Sequence, residues 1–188
     1  MNSNIEENIN NGKVIFQKCI PAKEAEYTNF PESLNIEIIK VLKNMKIEKL
    51  YTHQKEMFEL AKKGDNVVIT TSTASGKTLS FLLPVINEIL KNPLTRAIFI
   101  YPTKALASDQ YRAMKPFLDF FGQDKINAGV YDGDTSVDER RKIRASSNII
   151  LTNPDMLNTS FLPNHSKYNN NFIFANLKYV VIDELHTY

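Results

Sequence analysis

Apolar residues recur at helical spacing near the start of the chain and gather into short unbroken runs through the rest of it. Leu34, Ile38, Val41 or Leu42, and Met45 fall three or four apart, which places them on one face of a helix over 34–45 with Ser33 as its N-cap. A second helix is predicted after Thr52, through Met57 and Leu60, to a stop near Gly64. Beyond Gly64 the pattern changes to five short runs rich in β-branched or aromatic residues: Val67–Thr71, Ala97–Tyr101, Ala128–Tyr131, Ile149–Thr152 and Tyr179–Asp183. Helical or turn-rich stretches separate them. Runs such as Val180-Val181-Ile182 lack alternation, as expected of strands buried on both faces of a parallel sheet. Strand and helix in alternation predict an α/β fold of the doubly wound kind, a mainly parallel sheet with helices on both faces. Pro84 and Pro116 fall inside helical patterns and are expected to kink or interrupt them. The Asn-rich stretch from Asn158 to Asn176 reads as a long loop.

Residues 1–12 are polar, acidic and have little to bury, as in a disordered leader. One domain is predicted over residues 29–188, with residues 1–28 as an N-terminal extension. At 188 residues and 43% hydrophobic, the chain can bury a core without staples, and a lone Cys19 forms no internal disulfide. One cysteine and three histidines argue against a structural zinc site. No stretch is long and apolar enough to cross a bilayer, and the polar N-terminus has the wrong order for a signal peptide. A cytoplasmic setting is expected. The net charge of +2 is too small to bind a polyanion through a bulk field, so any nucleic-acid contact must use placed groups.

Two clusters carry candidate chemistry. After the run Val67–Thr71 come Ser72, Thr73, Ala74, Ser75, Gly76, Lys77 and Thr78, then a helical pattern through Leu83. A strand, a small-residue loop, Gly-Lys-Thr and a helix are the context of a Walker A phosphate loop. Small residues let backbone N–H groups close around a phosphate at a helix N-terminus. Lys77 supplies a charge to the β- and γ-phosphates, and Thr78 a hydroxyl to Mg²⁺. Thr71 and Ala74 stand where many such loops have glycine. At the far end, Asp183 and Glu184 follow the apolar run Val180–Ile182. Adjacent carboxylates at the end of a buried strand ask for a cation: Asp183 to hold Mg²⁺, Glu184 to orient and deprotonate a water. Taken alone, Asp183-Glu184 also fits an ordinary acidic turn. Arg140, Arg141, Lys142 and Arg144, preceded by Asp138 and Glu139, read as a solvated helix face, and His165 as an ordinary loop histidine.

Thr73-Ala-Ser-Gly-Lys-Thr78 with Asp183-Glu-Leu-His186 resembles motifs I and II of the DExH branch of the DEAD/DEAH-box, superfamily-two helicases. Tyr101-Pro-Thr-Lys-Ala-Leu106 resembles motif Ia, Asp132-Gly133-Asp134 the motif Ib region, Leu151-Thr-Asn-Pro-Asp155 the element before motif II, and Leu50-Tyr-Thr-His-Gln54 the adenine-reading segment. The set is similar, more narrowly, to the bacterial MrfA (YprA-like) DNA-repair helicases and their fungal relatives. The resemblance covers roughly residues 20–188. It implies a P-loop RecA-like domain using ATP and Mg²⁺, in which Gln54 reads adenine and Phe30 or Tyr51 stacks on it. Thr103, Lys104, Gly133, Thr152 and Pro154 would touch one nucleic-acid strand, single-stranded DNA by the narrower likeness, with RNA left open by the residues themselves. His186 would bridge the γ-phosphate to that strand and a partner domain. The family continues past the DExH motif with a Ser-Ala-Thr strand and a second RecA-like domain. On that basis the 188 residues are a truncated first half, expected to bind Mg·ATP weakly, to lack helicase activity alone, and to expose a strand edge. A P-loop kinase or GTPase fits less well, because kinases lack Asp-Glu-x-His at a strand end and no Asn-Lys-x-Asp guanine reader occurs. A non-catalytic binding fragment is the remaining alternative.

Overall fold

The computed structural model describes residues 24–71, 75–165 and 170–188. The expected leader and Cys19 lie outside them. Helix α1 spans Ile36–Asn44 and buries Ile38, Val41 and Leu42. Its N-cap is Asn35, which accepts the Glu37 N–H at 2.8 Å, rather than Ser33. The predicted start was too early because Leu34 is buried without being helical. Strand β1 (Tyr27–Thr28) pairs antiparallel with β2 (Leu50–Tyr51), so the last two residues of the expected extension join the body of the fold. Helix α2 (Thr52–Lys63) follows and ends on Gly64, whose φ of 89° is the left-handed conformation that lacks a Cβ penalty.

Four parallel strands make the main sheet: β3 (Arg96–Ile100), β4 (Ala128–Val130), β5 (Ile149–Thr152) and β6 (Leu177–Ile182), in the spatial order β4-β5-β3-β6. Helix α3 (Lys77–Lys91) precedes β3, α4 (Lys104–Phe121) joins β3 to β4, and α5 (Val137–Ser146) joins β4 to β5. Alternate residues of the sheet feed two cores. Ala97, Phe99, Tyr101, Ile149 and Leu151 pack with the buried faces of α1, α2, α3 and α4. Ile98, Ile100 and Ile150 pack with Tyr131, Phe161 and Ile173. This is the expected α/β arrangement with apolar cover on both faces.

Several expectations are corrected. Val67–Thr71 forms no strand and finds no ladder partner among the described residues; Val68 is 76% exposed. The run Val180–Ile182 is not buried on both faces. Strand β6 is an edge, and exposure alternates along it, with Val180 at 53% and Ile182 at 47%. An open edge of this sort was anticipated. The two prolines interrupt nothing: α3 runs through Pro84 and α4 through Pro116. Residues 81–87 around Pro84 are all buried, so packing outweighs one missing hydrogen bond. Pro116 is exposed, where water can satisfy the carbonyl left free. The described part of the stretch 158–176 is not a loop. After α6 (Pro154–Met156) come a π-helical turn (Leu157–Phe161), a 3-10 turn (Leu162–Asn164) and α7 (Asn170–Ala175). Buried Phe161 and Ile173 anchor it, an apolar signal hidden by the asparagines around them. The basic run is only half solvated. Arg140 and Arg144 lie over the Tyr131 ring at 5.4 and 5.7 Å, and Arg144 donates to the Tyr131 hydroxyl at 2.7 Å. No helix among the described residues is long and apolar enough to cross a membrane.

Tyr101, directly after β3, is fully buried, and its hydroxyl has no hydrogen-bond partner among the described residues. Burial, then the charge of Asp183, pushes its pKa far up. A buried hydroxyl left unpaired costs roughly 1–3 kcal/mol. Tyr101→Phe is therefore expected to stabilise the fold by about 1 kcal/mol, read as a higher urea midpoint at unchanged m-value. A loss of more than about 1 kcal/mol would show that the hydroxyl is bonded after all.

Candidate nucleotide site

Because all four strands run parallel, their carboxyl ends open on one edge, the edge where sheets of this class receive ligands. The segment 65–71 and the start of α3 frame one side of it. Ser72, Thr73 and Ala74 lie outside the described residues. Gly76 caps α3 with φ 74°, a conformation that strains any L side chain. A Cβ there would sit 2.6 Å from the Gln54 amide nitrogen and 3.4 Å from the Tyr51 ring. The glycine is demanded twice, by backbone angle and by space.

Gln54 is buried, and each end of its amide makes one hydrogen bond within the protein. Its Oε1 accepts the Tyr51 N–H at 2.9 Å and its Nε2 donates to the Gly76 carbonyl at 2.9 Å, tying the start of α2 to the loop. Lys77 Nζ donates to the Thr71 carbonyl at 3.1 Å, and the Thr71 and Ser75 hydroxyls are 2.6 Å apart. Thr78 Oγ1 donates to Gln110 Oε1 of α4 at 2.9 Å. Of the two candidate aromatics, Phe30 packs against the first core, whereas Tyr51 lies beside the loop. The Tyr51 ring stacks with Tyr27 at 5.0 Å and with His53 at 5.5 Å. Tyr27 is 57% exposed, so it offers an open aromatic surface beside the loop.

Asp183 closes the site from β6. Its N–H donates to the Ile100 carbonyl at 3.0 Å, which extends the ladder one step beyond the strand. Burial raises the half-buried Asp183 carboxyl above the usual aspartate range and Glu184 adds to this, while the Glu184 N–H and the Lys77 ammonium pull it down. Lys77 and Asp183 thus act on one another across the loop. Glu184 follows in a left-handed conformation, φ 51°, rare for a residue with a side chain and common where function holds strain. Its carboxylate is 3.4 Å from His186 Nδ1. A hard divalent cation of the magnesium kind takes one or two carboxylates with phosphates and water completing the shell. The Thr78 hydroxyl and the Asp183 carboxylate fit that donor set. Among the described residues no group of three or more His, Cys, Asp or Glu forms a fuller metal cage.

The other strand ends carry the residues expected to touch nucleic acid. Thr103 caps α4 by accepting the Leu106 N–H at 3.2 Å. Lys104 pairs with Asp134 at 2.8 Å, and that hydrogen bond chiefly raises the lysine pKa. A Cβ on Gly133 would lie 3.3 Å from Lys104 Nζ, so the lysine crosses tightly over the β4 turn. Pro154 opens α6, half-buried. Thr152 is different: it is 1% exposed, and its hydroxyl donates to the Tyr131 carbonyl at 2.8 Å, locking β5 to β4. His165 Nδ1 meets the Leu162 carbonyl at 2.7 Å, a local turn contact. Two residues at the nucleotide edge escaped the sequence reading, Tyr27 and Gln110. Tyr27 had no local signal, because its place depends on the β1–β2 pair. Gln110 had one: it interrupts the apolar stripe Ala107, Met114, Phe117, Phe121 of α4.

Residues 51–188 match the DEAD/DEAH box helicase family. The chain is 44% identical over 178 residues to the uncharacterized ATP-dependent helicase YprA of Bacillus subtilis (strain 168), covering 95% of this chain and 23% of that protein. The ATP-dependent helicase HRQ1 of Saccharomyces cerevisiae is 45% identical over 171 residues, 90% of this chain and 15% of that protein. Among solved structures, the DUF1998 helicase MrfA bound to DNA and AMPPNP is similar with a TM-score of 0.86 and 43% identity, over 97% of this chain and 26% of that one. The DEAD-box helicase Mss116 bound to ssRNA and UDP-BeF shares the fold, with a TM-score of 0.70 at 23% identity, over 83% of this chain and 32% of that one. The chain spans about a quarter or less of the length of YprA, HRQ1 and MrfA. The resemblance to YprA- and MrfA-like helicases is borne out, and the ordered run of phosphate loop, strand-end polar residues and Asp-Glu-x-His has its explanation: the chain belongs to the DEAD/DEAH box helicase family.

Proposed function

We propose that residues 29–188 are the ATP-binding, first RecA-like domain of a cytoplasmic ATP-dependent DNA helicase, with residues 1–28 as an extension that β1 begins to dock. The observation that carries this reading is that Lys77, at the start of α3, lies near enough to Asp183, just past β6, to pull its carboxyl pKa down, with Gln54 gripping the loop from behind. Ser72, Thr73, Ala74, Ser75 and Gly76 form the phosphate cradle. Lys77 exchanges the Thr71 carbonyl for the β- and γ-phosphates, a stronger, charge-assisted partner. Thr78 and Asp183 would hold Mg²⁺, which would neutralise charge developing on the phosphates. Glu184 orients the attacking water and takes its proton, and His186, 3.4 Å from the Glu184 carboxylate, bridges the γ-phosphate site to the nucleic-acid strand and a partner domain. Gln54 Oε1 and Nε2 each keep one free hydrogen-bonding position for the adenine edge. Tyr27, at the open end of the ring stack, is the better placed platform for the base.

Thr103, Lys104, Gly133 and Pro154 line the path of one strand of nucleic acid at the same edge, and buried Thr152 fixes the strand end behind them. DNA is favoured over RNA by degree of likeness, 43% identity to the DNA-bound MrfA against 23% to the ssRNA-bound Mss116. Hydrolysis in this family draws on an arginine from a partner domain, which can contribute ~10³–10⁵ in rate. These 188 residues are therefore expected to bind ATP and turn it over slowly, without unwinding.

Equilibrium binding of a fluorescent ATP analogue with Mg²⁺ tests the site. Lys77→Ala is expected to weaken binding tenfold or more, ~1.4 kcal/mol. Binding indifferent to Lys77 would leave the loop without its phosphate role. A second measurement tests the strand path. Asp134 competes with phosphate for Lys104, so Asp134→Asn is expected to tighten single-stranded DNA binding about two- to fivefold at low salt. Lys104→Ala should weaken it and flatten its salt dependence. Equal affinities for wild type and both variants would remove Lys104 from the path.

A further inference from the structure

We propose that Gln110 is the positioning residue of the metal site: its amide oxygen accepts the hydrogen bond of the Thr78 hydroxyl and so leaves the lone pairs of that oxygen for the cation. The inference rests on the reading of Thr78 as a Mg²⁺ ligand. Thr78 Oγ1 and Gln110 Oε1 are 2.9 Å apart, in residues 32 positions distant and on different helices. Both side chains are half-buried.

Gln110 stands where the periodicity of α4 calls for an apolar residue, three after buried Ala107 and four before buried Met114. An amide placed among apolar neighbours is costly unless it finds a partner, and the partner here is Thr78. The direction of the bond matters. A hydroxyl has one proton and two lone pairs, whereas an amide oxygen only accepts. Donation to Gln110 uses the proton and leaves the lone pairs for coordination. An acceptor behind a metal ligand fixes its orientation and raises its basicity, and loss of such a partner commonly weakens metal affinity 10- to 100-fold. The bond also joins two parts of the proposed motor. Helix α4 begins at Lys104, capped by Thr103, and Gln110 lies roughly 10 Å further along it at 1.5 Å per residue. Metal and nucleotide at Thr78 are thereby attached to the helix whose first turn faces the strand path.

The test is the Mg²⁺ dependence of binding of a fluorescent ATP analogue to the 188-residue chain, with a parallel titration in EDTA. Gln110→Met keeps the volume and suits the apolar stripe but removes the acceptor. It is expected to raise the half-saturating Mg²⁺ concentration about tenfold while leaving metal-free affinity within about twofold. Gln110→Glu, which keeps an acceptor, should restore or lower the Mg²⁺ requirement. In a Thr78→Ala background, Gln110→Met should add nothing further. An unchanged Mg²⁺ requirement in Gln110→Met overturns the inference while leaving the nucleotide site standing. Equal losses with and without Mg²⁺ overturn it too, since they mark a packing role only. If the wild-type chain binds the analogue with no dependence on Mg²⁺, the metal site itself fails and this inference falls with it.

Discussion

The last rung of the ladder β5–β3–β6 decides where the chemistry of this chain can be. Tyr101 donates its N–H to the Thr152 carbonyl at 2.9 Å, and Asp183 donates to the Ile100 carbonyl at 3.0 Å. On the far side of β5, Tyr131 donates to Leu151 at 2.8 Å. These bonds level the ends of four strands, so that Asp183, the turn at Thr103 and the turn at Gly133 start from one edge. Side chains alternate along a strand with a period of two, so a slip of one residue would exchange the two cores and turn Asp183 away from Lys77. Burial of every residue of β3 prevents that slip, since both of its faces are committed.

The loop side of the site has no such ladder, because residues 67–71 find no strand partner among those described. It is held by side chains instead. Gln54 reaches from α2 to the Gly76 carbonyl, and Gln110 reaches from α4 to the Thr78 hydroxyl. Two amides from different helices thus flank the three residues that begin α3. An amide suits this work because it is uncharged and can donate and accept in fixed directions. Lys77 can then change partners while its neighbours stay in place.

Much of this was legible in the sequence, and what was not has physical causes. The stop of α2 at Gly64 and the strands β3, β4 and β5 followed from periodicity and turn chemistry to within a residue or so. Failures came where tertiary context overrode local pattern. Val180 and Ile182 read as doubly buried, yet β6 is an edge, and hydrophobicity cannot distinguish an edge from a centre. Val67–Thr71 has the composition of a strand but no neighbour among the described residues to complete one. Pro84 lies in a helix that the buried residues around it hold intact. The site motifs were legible as strings, but the identities of their partners were not. Nothing local ties Gln54 to Gly76, 22 residues away, or Lys104 to Asp134, 30 residues away.

The strand-end residues also show why a motif can be read correctly and still mislead about a side chain. Thr103 spends its hydroxyl on the Leu106 N–H, and Thr152 spends its own on the Tyr131 carbonyl. Asn153 likewise caps α6 by accepting the Met156 N–H at 2.9 Å. Thr103 and Asn153 are first devices for starting a helix, and Thr152 for tying one strand end to the next. What they leave for a ligand is the backbone they fix in place, and the N–H groups of a helix start suit an anion without any positive side chain. A phosphate backbone carries no sequence information to be read at such contacts, only regular charge and spacing. On the proposed strand path, a nearly neutral domain would hold a polyanion with Lys104 as the one cation among the five strand-end residues. Asp134 would then set how readily that cation is released to the strand, because the pair is exposed and each partner can exchange for solvent or phosphate at little cost.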